Sequence, residues 1–270
     1  MQKRKAVWPW AVVGVVAVGG IGWWLFRDDV AQLRQATATV APPVDTPATP
    51  AIQAPATPEP AAEPKYPLDV AADPALPALA DSDASSWQAL NGLFPADVLA
   101  VLLREQLIQR VVVHVDNLTQ PSLPAAAMAV RPLPGALQVE QGGAGGERLA
   151  AANATRYAPY VDAFTRADTG AVAAAYKRFY PLLQQAYRDI GHPDGHFNDR
   201  LVAVIDHLLQ TPEPARPLAV EPDGKGRYRF VDPALQSLSI GQKALLRMDA
   251  GQEQAVKQQL RALRAAITRG

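Results

Sequence analysis

This sequence predicts a mainly α fold: one globular helical domain carrying two small β-hairpins, preceded by a single N-terminal transmembrane helix. Three observations predict it. Apolar residues recur at three- and four-residue spacing through the second half, as in Val256, Leu260, Leu263 and Ile267. Two glycine-rich stretches, GGAGG at 142–146 and DGKG at 223–226, each stand between short apolar runs. A charge-free run from Ala6 to Phe26 follows the basic Lys3-Arg4-Lys5.

Residues 1–5 form a basic segment, placed in the cytoplasm. Residues 6–26 form the anchor, and their 21 positions match the ~20 needed to cross a hydrocarbon core. Trp8 and Trp10 mark one end and Trp23 and Trp24 the other, as interfacial aromatics do. Basic residues precede the span and Asp28-Asp29 follow it, so the N-terminus is expected in the cytoplasm and the body across the membrane. The competing reading is a cleaved signal peptide. It would need small residues before the cut, and Gly20-Ile21-Gly22 runs straight into two tryptophans. Residues 27–67 read as a disordered Pro/Ala/Thr-rich linker. Extended as polyproline II, its proline-rich part spans at most roughly 90–100 Å.

The helical domain is expected over 68–270. Asp83 reads as a cap for a short helix with Trp87 and Leu90. Pro95 then opens a long helix reaching Leu118, although Val111-Val112-Val113 leaves a strand open. Asn117 suits its C-terminal end. Residues 136–140 and 147–151 make the first hairpin. Asn153 caps a helix with Tyr157, Tyr160, Val161 and Phe164 on one side. Thr169 caps the next, which runs to Ile190 through Pro181, an expected kink, and stops at Gly191. A following helix carries Phe197, Leu201, Val204, Ile205 and Leu208. Residues 218–221 and 227–231 make the second hairpin. Asp232-Pro233 is a cap followed by Pro at the first helical position, and Ser239 with Gln242 is a capping box. The last helix exposes Arg261 and Arg264.

Composition excludes several functions. There is no cysteine, so disulfides, thiolate metal sites and cysteine nucleophiles are absent. The first 27 residues hold four of the 26 basic groups and none of the 26 acidic ones, leaving a mildly acidic body. Nucleic acid is therefore not an expected partner. GGAGG lacks the lysine and the following helix of a phosphate loop, and no serine stands in a GxSxG setting.

The chemical candidates gather in HPDGHFND, between two amphipathic helices, and on the helix after it. They are His192, Asp194, His196, Asn198, Asp199 and Asp206. Aspartate and neutral histidine are metal ligands, so His192, Asp194, His196, Asp199 and His207 are a conceivable set, but Pro193 and Gly195 break the helical spacing of HExxH sites, and no metal and no cofactor are expected. The structural alternative is a tight turn with Asp194 or Asn198 as cap, Gly195 at positive φ and the rings half-buried. Asp199 and Asp206 share a helix face about 10 Å apart along the axis, not far from the spacing of glycosidase carboxylates. Tyr157, Tyr160, Tyr176, Tyr180 and Tyr187 form a band that reads as core with hydroxyls at the rim.

Three stretches carry a family resemblance: VVVHVDNL (111–118), FYPLLQQAYRDIGHPDGHFNDRLVAVIDHLLQTPEP (179–214) and YRFVDPALQSLSIGQKALLRM (228–248). Together they resemble the bacterial family called domain of unknown function 3014, over about residues 76–267. The resemblance implies an N-terminal membrane segment and a proline-rich linker, and it transfers no catalytic residue. Family members often have Tyr at the positions of His192 and His196, which implies that these imidazoles are not obligatory ligands.

The expected function is a non-catalytic binding or scaffolding module of the cell envelope, with an envelope protein or the cell wall as partner. The alternative is an envelope hydrolase or glycan-acting enzyme using carboxylates between Asp194 and Asp206.

Overall fold

The computed structural model describes residues 63–122, 128–143, 145–224 and 226–269. The expected anchor at 6–26 and nearly all of the linker lie outside them. Among the described residues no helix is long and apolar enough to cross a membrane.

Mainly helical structure is what these residues adopt, with one small sheet. A turn of 3-10 helix at Leu79–Asp81 leads into α1 (Asp83–Asn91), α2 (Ala96–Leu99) and α3 (Leu107–Asn117). Strands β1 (Val139–Gln141) and β2 (Glu147–Leu149) follow, then α4 (Asn153–Arg166), α5 (Thr169–Asp189) and α6 (Phe197–Leu209). Next come β3 (Ala219–Pro222) and β4 (Tyr228–Phe230), then α7 (Pro233–Gln236), α8 (Ile240–Leu246) and α9 (Ala250–Thr268).

The main core lies among the longer helices. α9 packs on α4, α5 and α6, and α3 packs on α1, α5 and α6. The stripe predicted for α9 is the buried one: Val256, Leu260, Leu263 and Ile267 are all buried. So are Val111, Val112 and Val115, which α3 turns inward as a helix, closing the strand alternative. Tyr157 and Tyr176 are fully buried, and Tyr160 and Tyr180 pack at the edge of the core. Burying side chains of this size contributes roughly 1.5–3 kcal/mol each.

The two hairpins join into one antiparallel sheet of order β1-β2-β3-β4. The joining register pairs Glu147 with Val220 and Arg148 with Ala219. Each hairpin alone is two short strands, which are marginal in water. Pairing β2 to β3 lets Leu149, Leu218, Val220 and Phe230 share a second apolar cluster with Leu137, Leu235 and Leu246.

Several expected boundaries move, each for a tertiary reason. The long helix expected from Pro95 to Leu118 is broken into α2 and α3. Between them the backbone pairs with residues 129–131: Leu103 N donates to Ala129 O and Arg131 N to Val101 O. Gln106 turns left-handed, at φ 54°. Asp83 does not cap its own helix; its carboxylate accepts the N–H groups of Gln106 and Leu107, at 2.8 Å each, and so caps α3. Asn153 is likewise no cap. Its side chain bonds the backbone of Gln138 and Ala150 and ties β1 to α4. α5 is capped by Asp168, not Thr169, through Ala171 N. Asp232 and Ser239 cap as expected, the latter in a complete box with Gln242. Helix α5 runs on through Pro181, and α4 also contains a proline, Pro159. Arg264 is half-buried on Asp206 instead of free in solvent.

Candidate functional site

The turn between α5 and α6 is built from both helices. α5 ends at Gly191, whose φ of 112° suits the left-handed position after a helix. Gly195 is glycine for another reason than the positive φ expected of it. A Cβ there would stand 2.9 Å from the Tyr187 ring and 3.2 Å from His192 Cβ, so the requirement is close approach.

No side chain of the turn caps α6. His196 holds the N-cap position, but its side chain makes no capping hydrogen bond. The free N–H of Phe197 is met instead by Gln184 of α5, whose Oε1 accepts it at 2.8 Å. Gln184 Nε2 donates to Gly195 O at 2.7 Å, and Tyr180 O–H donates to Oε1 at 2.9 Å. One buried amide thus fastens the turn from across the helix pair. Gln184→Ala should therefore cost about 0.5–2 kcal/mol, the range for a lost cap. Asp194→Ala, at an exposed position, should stay within about 0.5 kcal/mol. Urea denaturation of the two variants measures the difference, and equal losses would contradict this assignment.

The other candidates are drawn into different contacts. Asn198 is fully buried; its Nδ2 donates to Tyr66 O and Ile267 O, and its Oδ1 accepts from Tyr176 O–H at 3.1 Å. Asp199 accepts the backbone N–H groups of Lys65 and Tyr66 at 2.9 and 2.8 Å. Asp206 forms a two-point ion pair with Arg264, at 2.5 and 2.9 Å. That guanidinium also lies 5.8 Å from the Tyr66 ring centre. His192 stacks on Tyr187 at 4.3 Å and 18°, with Nε2 3.4 Å from Asp116. Asp116 is held by Arg200 at 2.6 Å, and Arg200 also reaches Thr119. The structure therefore sends Asn198, Asp199 and Asp206 toward residues 65–66 and the end of α9. His192 goes with the α3–α6 contact, and Asp194 faces solvent.

Electrostatics follow from burial. Tyr176 is held far up, first by burial and then by the nearby Tyr180 and Asp199. Burial likewise raises Tyr187, with Asp116 adding to it. Nothing in the sequence pairs His207 with Ser239, whose Nε2 and Oγ lie 2.9 Å apart. That is the distance of a base and its nucleophile. Ser239 is buried, however, and its Oγ already accepts the Gln242 N–H as the α8 cap. Burial, then Arg200, lowers His207, so it is neutral at pH 7. Among the described residues no three His, Cys, Asp or Glu side chains gather so as to hold a metal ion.

A family model described as protein of unknown function (DUF3014) matches residues 107–264. The chain belongs to that family. The DUF3014 match opens at the first residue of α3 and closes within α9, so it contains the α5–α6 turn and the whole sheet. Residues 65–66, which Asp199 holds, lie outside it. Neither the curated proteins nor the solved structures include a match to the chain.

Sequence reasoning missed Gln184 because its partners lie on the next helix. A signal was present: Gln184 occupies the stripe of Tyr180 and Tyr187, and a polar residue on an apolar stripe needs a buried partner.

Proposed function

We propose that this chain is a membrane-tethered, non-catalytic binding or scaffolding module of the bacterial cell envelope. Residues 6–26 anchor it in the inner membrane, the N-terminus stays in the cytoplasm, and the proline-rich spacer carries the helical body into the periplasm to meet an envelope protein or the cell wall. One observation carries the reading. Asp199 clamps the backbone of Lys65 and Tyr66, where the spacer reaches the body. Asn198 adds a second bond to Tyr66, and Arg264 lies against its ring. Such a joint would fix where a tether meets the body. A glycan-cleaving pair needs two carboxylates facing one open space. Asp199 and Asp206 are instead committed to the joint and to Arg264.

The test is topology and capture. Alkaline phosphatase fused after Gly270 should be active in cells, and mass spectrometry should find the first 26 residues retained. A mature N-terminus just after Gly22, or an inactive fusion, would overturn the tether. Crosslinking in intact cells should trap an envelope partner. Turnover of muropeptides by the purified protein, lost in Asp199→Asn and Asp206→Asn, would overturn the non-catalytic part.

A further inference from the structure

A cavity of about 340 Å³ lies between the β1–β2 hairpin, the segment 216–218 that leads into β3, the start of α4 and the junction of α8 with α9. That volume is at the small end of ligand pockets. Three arginines line it: Arg148, Arg216 and Arg247. Two of them are neutralised within the chain. Arg148 pairs with Glu140 at 2.9 Å, and Arg216 pairs with Glu253 and donates to Met248 O. The acidic residues at the cavity are occupied as well, Glu140 by Arg148 and Asp249 by the Gln252 N–H of α9.

Arg247 is different. It is 6% exposed, and its Nε has no hydrogen-bond partner. Among the described residues no carboxylate pairs with it. The Phe230 ring, 5.9 Å from the guanidinium, is its neighbour on one side. Burial foremost lowers its pKa to about 10, with Tyr157 opposing and Arg156 adding to the drop, so it stays charged at pH 7. A buried cation without a counter-ion is costly, and such a cost is commonly retained at a binding site.

The surroundings say what would neutralise it. The first turn of α4 borders the cavity at Asn153 and Ala154 and has no side-chain cap, so its positive end adds to the attraction for an anion. One unpaired guanidinium calls for one negative charge. The remaining wall is apolar, formed by Leu149, Leu218, Leu246 and Met248. A phosphate dianion is poorly matched to that wall, whereas a carboxylate with a short hydrocarbon body matches both halves, and its planar oxygens suit a guanidinium.

We propose that this cavity binds a small organic carboxylate, its charged end on Arg247 and its apolar body against Leu149, Leu218 and Leu246. This deepens the binding-module reading by giving it a ligand class, and it is independent of how the chain is tethered. A failed ligand test leaves the topology results standing, and a failed tether leaves the cavity as it is.

The experiment is thermal denaturation of the full-length protein in non-ionic detergent, with hexanoate and benzoate as probes. At about 10 mM and a Kd of about 1 mM or tighter, either carboxylate should raise Tm by about 3 °C or more. Benzamide and inorganic phosphate should leave it unchanged. Arg247→Met keeps the stem of the side chain and should abolish the response without lowering the Tm of the free protein. If that variant fails to fold, the arginine Nε–H resonances of the wild-type protein decide by NMR, since Arg247 should shift on hexanoate addition. No Tm shift with either carboxylate, a response equal to that of benzamide or phosphate, a response that survives Arg247→Met, or invariant Nε–H resonances would each overturn the proposal.

Discussion

Replacing Lys257 by Met should remove about 3 kcal/mol of stability, measured by urea denaturation at pH 7. Lys257 is 2% exposed, yet it carries a charge in the core. Its Nζ donates to Thr211 O at 2.7 Å and to Glu213 Oε1 at 2.9 Å. It also lies 2.8 Å from Glu253, itself 1% exposed and paired with Arg216. Thr211, Glu213 and Arg216 all belong to the proline-rich connection after α6, so this network fastens that connection to α9. Lys257 holds the Glu213 carboxyl below its usual range, first by the hydrogen bond and then by its charge. Methionine fills the space of the stem but leaves Glu253 and the Thr211 carbonyl short of a partner. Breaking a buried pair costs about 3–5 kcal/mol, and the surviving Arg216–Glu253 contact puts the loss at the low end. A loss below about 1 kcal/mol would mean that water replaces the ammonium.

His114 should make the protein lose stability as the solution is acidified. It is fully buried in α3, and neither ring nitrogen has a hydrogen-bond partner. Burial lowers its pKa from 6.5 to about 4. Between those values the unfolded chain takes up a proton that the folded chain does not. Stability is therefore fully present above about pH 6.5 and falls as the pH drops toward 4, by about 3 kcal/mol in all. His207, lowered by burial, acts in the same direction. His114→Leu removes the titrating ring and two unsatisfied nitrogens. Its stability should match or exceed wild type at pH 7 and should decline less between pH 6.5 and 4. Parallel curves for the two proteins would show that the ring reaches water or a partner.

Features that act within a few residues were legible. Ser239 and Gln242 form their box, Asp232 caps before Pro233, Gly191 ends α5, and α9 buries the stripe its spacing marks. The hairpins stand where their glycine-rich turns put them. The misplaced features are those whose partner is remote in sequence. Asp83 looks like the cap of the helix beside it and instead serves residues 23 and 24 positions away. Gln184 reaches Phe197, 13 positions on, and Asp199 reaches Lys65 across 134. The six candidate site residues lie close in sequence, but closeness along the chain does not say which way a carboxylate turns. Asp199 and Asp206 point to residues 65–66 and to Arg264, His192 to Tyr187, and Asp194 to solvent.

By itself, then, the sequence determined a mainly helical body, the position of most helices and both hairpins, and membership in the DUF3014 family, because period, turn chemistry and long motif runs are local properties of the chain. Tertiary structure alone decided that two hairpins become one sheet, that the expected long helix breaks at Gln106, and that Gly195 is required by the Tyr187 ring. It also decided which charges are buried with partners, as Lys257 is, and which without, as Arg247 is. Those outcomes depend on distances between segments far apart in the chain, and burial makes each of them energetically consequential by removing the water that would otherwise satisfy the group.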